Sequence, residues 1–213
     1  MLLNELQRDL LKELVNVYVG HAASLLSEMV NQKIDLNIPE VELIEANKME
    51  TNIFQYSSVE EYKHVVSSSV KFGHNFNGKA FLVFPAERAK MIVSACMGES
   101  ADEALLDGRI PLDDTDFDVL KEISNLILNA IIGEFGNLLS IKLEYTLPEI
   151  EVVYISDEEE KKMEMGNMYF LLLHTDFFLS QTKVNGVVVV ALGMDSVNFL
   201  VEKIDELLGE LDG

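Results

Sequence analysis

The chain has 213 residues and 48% of them are hydrophobic, which is enough for a buried core and argues against a disordered chain. Its 16 basic and 37 acidic residues give a formal net charge of −21. That balance argues against nucleic acid or a membrane surface as a partner, because both are bound by concentrated Lys and Arg, and it leaves open a protein partner with a basic docking surface.

The first half of the chain reads as helix, strands, hairpin and helix. Apolar residues at three- and four-residue spacing predict the helices, and alternation predicts the strands. The predicted elements cover residues 4–32 (helix), 34–38 and 41–44 (strand), 65–76 and 79–84 (hairpin) and 86–97 (helix). Asn77 and Gly78 separate the hairpin strands, a pair typical of a tight turn. Cys96, the single cysteine, is interpreted as a small core side chain.

The second half repeats this order. Its predicted elements cover residues 115–139 (helix), 141–145 and 150–155 (strands), 169–179 and 183–192 (hairpin) and 195–208 (helix), with a charged, solvated loop at 156–162. An exposed sheet edge in each half invites pairing with the other. We therefore predict one α+β domain over residues 1–213, built of two repeats (about 1–97 and 114–208, joined by 98–113). The expected fold is a pseudo-twofold, antiparallel six-stranded sheet packed with two long and two shorter helices.

Four positions recur with the same letters and spacing in both halves, 109 residues apart. They are Asp9, Glu13, Asn16 and Pro39 in the first half and Asp118, Glu122, Asn125 and Pro148 in the second. At about 100° per residue, the Asp, Glu and Asn share one face of each long helix. A polar face on a surface helix is ordinary, and a proline can simply mark an edge strand. Two identical copies favour a function, because drift after duplication scrambles exposed polar residues.

The opposite faces of the long helices are expected to form the core. In the first helix that stripe consists of Leu11, Leu14, Tyr18, Ala22, Leu25 and Met29. In the second it consists of Leu120, Ile123, Ile127, Ile131 and Leu138. Glu134 also falls on this apolar side, and the pattern suggests no role for it.

The pattern Asp/Ser-x3-Glu-x2-Asn-x22-Pro resembles the active-site motif of the CheC/CheX/FliY family of chemotaxis phosphatases. Two intact copies without an appended flagellar-switch domain look most like the CheC type. The resemblance implies a phosphatase that accelerates hydrolysis of the aspartyl phosphate on a CheY-like response regulator. It further implies that the chain needs no cofactor of its own, since the regulator supplies the Mg²⁺.

The resemblance also implies a role for each repeated residue. Asn16 and Asn125 would enter the regulator's pocket, where the carboxamide oxygen accepts a hydrogen bond from the attacking water. A neutral amide suits this task, because a carboxylate would be repelled by the phosphate and the acidic metal ligands. Glu13 and Glu122 would pair with the regulator's active-site lysine. The repeated aspartates would support docking or favour the helix start electrostatically, and the repeated prolines would support docking.

The two copies depart from the family at the residue before the amide. Family members often carry glycine there, whereas this chain has Val15 in the first copy and Ser124 in the second. Val15 is expected to crowd the docking groove, so we expect the second copy to be the better site.

Other functions stay open at this stage. A CheC-like adaptor could bind the phosphorylated regulator, or the receptor deamidase CheD, without turnover. A purely structural flagellar component is a weaker alternative. The four histidines are scattered without metal-ligand spacing, so no metal site is expected. The charged N-terminus is no secretory signal and no apolar run is long enough to span a bilayer, so we expect a cytoplasmic protein.

Overall fold

The computed structural model describes residues 3–46, 64–98, 112–154, 168–179 and 182–211. Most of the joining segment predicted at 98–113, and all of the loop predicted at 156–162, lie outside these residues. In the part of the chain that is described, no helix is long and apolar enough to cross a bilayer.

Helices and strands follow the predicted order closely. The helices are α1 (Glu5–Val30), α2 (Ala86–Met97), α3 (Asp114–Leu138) and α4 (Met194–Leu211). The strands are β1 (Ile34–Glu45), β2 (His64–Gly73), β3 (Gly78–Pro85), β4 (Glu144–Tyr145), β5 (Glu149–Tyr154), β6 (Met168–Leu179) and β7 (Thr182–Gly193). The predicted α+β fold with an antiparallel sheet is confirmed. The sheet has seven strands because the second half's first strand is split into β4 and β5.

Each half forms its own hairpin, but the first strand of each half pairs with the other half. The sheet order is β1-β6-β7-β3-β2-β4, with β5 also on β2, and every pairing is antiparallel. The hairpins β2–β3 and β6–β7 meet in the middle through β3 and β7. The first strand of each half crosses to the hairpin of the other half: β1 lies on β6, and β4 and β5 lie on β2. The two halves are therefore interlocked, which simple edge-to-edge pairing did not predict.

Matching caps begin the two long helices. The N-caps Asn4 and Asp113 lie 109 residues apart, and each forms a capping box, with Gln7 and Asp116 as its third helical residue. Each of these third residues also reaches a short helix: Gln7 donates to an aspartate of α4 at 2.6 Å, and Asp116 accepts from a lysine of α2 at 2.7 Å. Such matched positions support the two-repeat organisation, which stays a prediction.

Gly78 is the first residue of a strand and not part of a two-residue turn, and Gly186 lies inside β7. In the first hairpin the turn spans residues 74–77, between β2 and β3. A Cβ on Gly78 would collide with the backbone oxygen of Ala191, and one on Gly186 would lie 2.9 Å from that of Val83. The predicted two-residue turn is wrong, because four residues separate β2 from β3 and Gly78 already pairs with Phe72. The close approach of β3 and β7 explains the glycines at positions 78 and 186 instead.

Both faces of the sheet are buried. One face packs against the four helices and forms the main core, and the other carries a smaller apolar cluster that includes Val65, Phe170 and Val189. A central strand buried on both faces needs apolar residues at successive positions. This explains the unbroken run Val187–Val190 in β7.

Helix α1 is rotated relative to the predicted core stripe. Leu25 and Met29 were expected in the core but are 52% and 58% exposed. Val15, Val19 and Leu26 are buried instead. The helix carries apolar residues on two neighbouring stripes, so its periodicity alone does not choose between them. Packing against β1, α3 and α4 makes that choice.

Candidate functional site

The first copy of the motif lies on the N-terminal half of α1. Asp9 and Glu13 are exposed, and Asn16 is half-buried one turn further on. Together with Lys12 and Val17 they border an open concavity of about 550 Å³. The two carboxylates are thus available to a protein that approaches α1 from solvent.

The Asn16 amide is engaged by the backbone. Its Nδ2 donates to the carbonyl oxygens of Lys12 at 2.9 Å and Ile38 at 2.8 Å, and its Oδ1 accepts the N–H of Ile38 at 2.7 Å. The pairing of β1 with β6 is interrupted between Asn37 and Glu40. Asn16 therefore supplies the hydrogen bonds that Ile38 lacks in the sheet, and it joins α1 to β1.

Both repeated prolines lie where an edge strand is interrupted. Pro39 follows Ile38 at the irregularity in β1, and Pro148 lies between β4 and β5. Proline has no N–H to donate to a ladder, so it is tolerated at such positions. Their predicted contribution to docking stays a prediction.

The second copy holds its amide differently. Asp118 and Glu122 on α3 are exposed and Asn125 is half-buried. The Oδ1 of Asn125 accepts a hydrogen bond at 2.9 Å from the Nδ2 of Asn129, one turn further along the helix. Among the described residues no bond joins Asn125 to the interrupted strand, where Leu147 is 86% exposed.

Val15 does not crowd the groove beside Asn16. It is 3% exposed and packs into the core, as Ser124 does before Asn125. Neighbouring residues on a helix point about 100° apart, so the residue before each half-buried amide faces inward. The expectation of crowding is wrong, and the two copies differ instead in the partners of their amides.

Cys96 is a poor nucleophile in this environment. Burial raises the pKa of its thiol from 9.0 to about 11, so it is protonated at neutral pH. This agrees with its interpretation as a core side chain.

One cluster with metal-ligand chemistry escaped the sequence analysis. Glu40 and Glu42 on β1 and His174 on β6 bring their ligand atoms within 4.8 Å of one another. The His174 Nε2 lies 3.5 Å from a Glu42 carboxylate oxygen. The signal was hidden because the residues meet across paired strands and not at helical spacing. These groups could hold a divalent cation, so the expectation of no metal site stays a prediction.

The chain is similar in sequence to two curated proteins. No family model matches the chain. It is 27% identical over 160 residues to the flagellar motor switch phosphatase FliY of Bacillus subtilis, a match that covers 74% of this chain and 38% of FliY. It is 23% identical over 150 residues to the CheY-P phosphatase CheC of the same organism, covering 70% of this chain and 68% of CheC. The matched region is therefore little more than a third of that FliY.

Solved structures share the fold. Thermotoga maritima FliY superposes with a TM-score of 0.75 and 18% identity, covering 97% of this chain and 99% of that one. The FliM middle domain from H. pylori gives a TM-score of 0.61 and 10% identity, covering 94% and 99%. With the repeated motif, the likeness to these curated relatives and the shared fold support a member of the CheC/CheX/FliY family.

Proposed function

We propose that the chain is a phosphatase that hydrolyses the aspartyl phosphate of a CheY-like response regulator in chemotaxis. The observation that carries the proposal is the exposed Glu-x2-Asn face on both long helices, in a chain similar to two proteins named as phosphatases. The regulator is the substrate and holds the Mg²⁺. The chain would contribute position and hydrogen bonds to the reaction rather than a nucleophile.

The proposed reaction transfers the phosphoryl group to water. The water oxygen attacks phosphorus in line, the bond from phosphorus to the aspartyl oxygen breaks, and the regulator's aspartate leaves as a carboxylate with release of inorganic phosphate. A carboxamide oxygen orients the water by accepting a hydrogen bond from it. A glutamate one turn earlier binds the regulator's lysine and aligns the helix.

We assign the main activity to the second copy. Asn125 bonds only within its own helix among the described residues, so its amide can turn toward a docked pocket. Asn16 would have to give up its bonds to Ile38 before its amide could do the same. Leaving buried backbone groups unpaired costs roughly 1–3 kcal/mol for each group. Glu122 and Asn125 are therefore the proposed catalytic pair, with Glu13 and Asn16 as a weaker site.

A non-catalytic role is the second candidate. The fold is shared with FliM domains, one of them solved in a FliG–FliM complex, and the first copy uses its asparagine to join two elements. An adaptor of this kind would bind the phosphorylated regulator, or the deamidase CheD, without turnover. It would use the exposed acidic faces of α1 and α3 as docking surfaces.

Phosphate release separates these two functions. A CheY-like regulator charged with an acyl phosphate and Mg²⁺ is followed with and without the full chain, and we expect faster release with it. Asn125→Ala should remove most of the acceleration, whereas Asn198→Ala, at an exposed position of α4 outside the motif, should leave the regulator's dephosphorylation largely intact. No acceleration at saturating protein would leave the adaptor, and binding of the phosphorylated regulator would then be measured directly.

A further inference from the structure

A second concave surface lies beside the catalytic face of α3. It encloses about 480 Å³ between the C-terminal halves of α1 and α3 and the segment that leads into β4. Tyr18, Asn129, Glu134, Asn137 and Tyr145 contribute its main polar groups. We call this surface the α1–α3 groove. It contains Glu134, the residue for which the helical pattern suggested no role.

Glu134 brings an unusual carboxylate into this groove. Glu134 is only 8% exposed. It accepts a hydrogen bond from the Tyr18 hydroxyl, which raises the pKa of Tyr18, and another at 2.9 Å from the Nδ2 of Asn137. Within the described part of the chain, no Lys, Arg or His forms an ion pair with it. A carboxylate has about four acceptor positions, so about two are left without a donor.

Asn129 adds a further unused acceptor. Its Nδ2 donates to Asn125, but its Oδ1 is buried and has no hydrogen-bond partner. A buried polar atom without a partner is destabilising unless a ligand or water supplies one. The groove thus offers more acceptors than donors, and it is suited to a cation that carries several N–H groups.

The groove is continuous with the proposed second site. Asn129 and Gly133 lie one and two turns beyond Asn125, about 6 and 12 Å along the helix axis. A protein whose phosphoryl group reaches Asn125 would therefore cover the mouth of the groove. The first copy has no matching arrangement, because the equivalent positions are Gly20 and the exposed Leu25.

We propose that the α1–α3 groove binds a basic side chain, preferably an arginine, of the protein that docks on the second copy. The inference rests on the proposed function for the identity of that partner. A guanidinium has five N–H donors in a planar fork, which matches a carboxylate and a nearby amide oxygen better than an ammonium does. Lys142 and His21 are exposed at the rim, so their charges are screened by solvent. A contact with Asn129 would also hold the amide that donates to Asn125.

The groove can be tested without any regulator. Methylguanidinium is titrated into the isotope-labelled full chain, and the side-chain amide signals of Asn129 and Asn137 are followed by NMR. We expect saturable shifts centred on these amides, at least about threefold weaker binding of methylammonium, and loss of saturation in Glu134→Gln. Glu28→Gln, which removes an exposed carboxylate of α1, is the matched control and should bind as the unmodified chain does.

A blocking variant guards against a fold defect in Glu134→Gln. A Cβ on Gly133 would meet the Tyr145 hydroxyl at 3.5 Å, an ordinary contact, so Gly133→Leu fills the groove without a backbone clash. It should also abolish the shifts. Shifts that scatter over all acidic surfaces, or that are equal in the unmodified chain and both groove variants, would overturn the proposal.

The second arm uses the phosphorylated regulator. Glu134→Gln should raise its KM roughly tenfold with kcat nearly unchanged, and should weaken the dependence of KM on salt, while Glu28→Gln leaves KM within about twofold. An unchanged KM in Glu134→Gln would overturn the groove as a docking element. If methylguanidinium binds the groove but the regulator is not hydrolysed, the proposed phosphatase fails and the groove stands. If the regulator is hydrolysed but methylguanidinium does not bind, the groove proposal fails and the proposed phosphatase stands.

Discussion

At the level of single residues, the two asparagines of the motif have different neighbours. Asn16 bonds to both backbone groups of Ile38, whereas Asn125 bonds to Asn129 on its own helix. The same residue type at matched positions therefore joins two elements in one copy and, among the described residues, bonds only within its own helix in the other. The reason lies in the opposing strand, which approaches α1 at Ile38 and is exposed at Leu147.

The first prediction concerns stability. Asn16→Ala leaves the N–H and C=O of the buried Ile38 without partners and should lower the free energy of unfolding by about 2 kcal/mol. Asn125→Ala should cost less than about 0.5 kcal/mol, because only a bond within the exposed helix surface is lost. Urea denaturation of both variants measures the difference. Equal losses would show that the Ile38 bonds do not hold α1 to β1.

The second prediction concerns activity and has the opposite order. Without denaturant, where both variants are folded, Asn125→Ala should reduce the accelerated phosphate release at least about tenfold. Asn16→Ala should reduce it by less than about threefold. The rates are compared with the same phosphorylated regulator and Mg²⁺. A larger loss in Asn16→Ala would move the main site to α1.

The third prediction follows from the raised pKa of Cys96. Its thiol should react slowly with a thiol reagent at pH 8 and about tenfold faster for each pH unit up to about 11, whereas the urea-unfolded chain should react quickly at pH 8. Because the unfolded thiol ionises first, near 9.0, the folded state should lose stability as pH rises from there to about 11. Rapid labelling of the folded chain at pH 8 would contradict this burial.

At the level of elements, two side chains of α1 join this helix to β1 by hydrogen bonds to the β1 backbone. Asn16 bonds to Ile38, and the Ser27 hydroxyl lies within hydrogen-bond distance of both backbone groups of Ile34. The polar face of α1 that the repeated motif predicted is thus partly turned toward the edge strand β1. Only its first half, with Asp9 and Glu13, is left open to solvent.

Elements were predicted well from local pattern, and their contacts were not. The second helix, Ala86–Met97, was located to the residue, because its periodicity and its flanking proline and glycine are local signals. The turn at Asn77 and Gly78 was wrong, and so was the C-terminal part of the α1 core stripe, where Leu25 and Met29 are exposed. Both depend on which strand or helix lies opposite, and a single segment does not contain that information.

The fourth prediction tests the central glycines. Gly78→Ala and Gly186→Ala should each destabilise the fold by about 1–3 kcal/mol, because the new methyl group meets backbone oxygen across the β3–β7 pair. Gly20→Ala on α1 is the control: it has open space, and removing glycine from a helix should stabilise by about 0.5–1 kcal/mol. Thermal and urea unfolding provide the comparison. Neutral strand variants would mean that β3 and β7 can separate at no cost.

At the level of the whole molecule, the exchanged first strands make each half depend on the other. The sheet can be complete only when β1 lies on β6 and β5 lies on β2. Internal repetition of the sequence, together with the hairpins, predicted one domain and the right classes of element. It did not predict the exchange, because hydrophobic patterns are the same whether a strand pairs within its half or across.

The fifth prediction is that the halves do not fold separately. Residues 1–97 expressed alone should lack cooperative unfolding and bind a dye for exposed apolar surface, since β1 and β2 have lost β6 and β5. Mixing with residues 112–213 should restore the circular dichroism of the full chain. A fragment that unfolds cooperatively alone would show that the exchange is not needed for stability.

The exchanged strands also affect how the protein is made. On the ribosome, β1 emerges more than 120 residues before β6. At about 5–20 residues per second, the strand must wait roughly 6–30 s for its partner. During that interval Ile34, Leu36, Ile38, Val41 and Leu43, all buried in the finished fold, have no sheet to cover them. We therefore expect chaperones to bind the nascent chain until its last hairpin is synthesised.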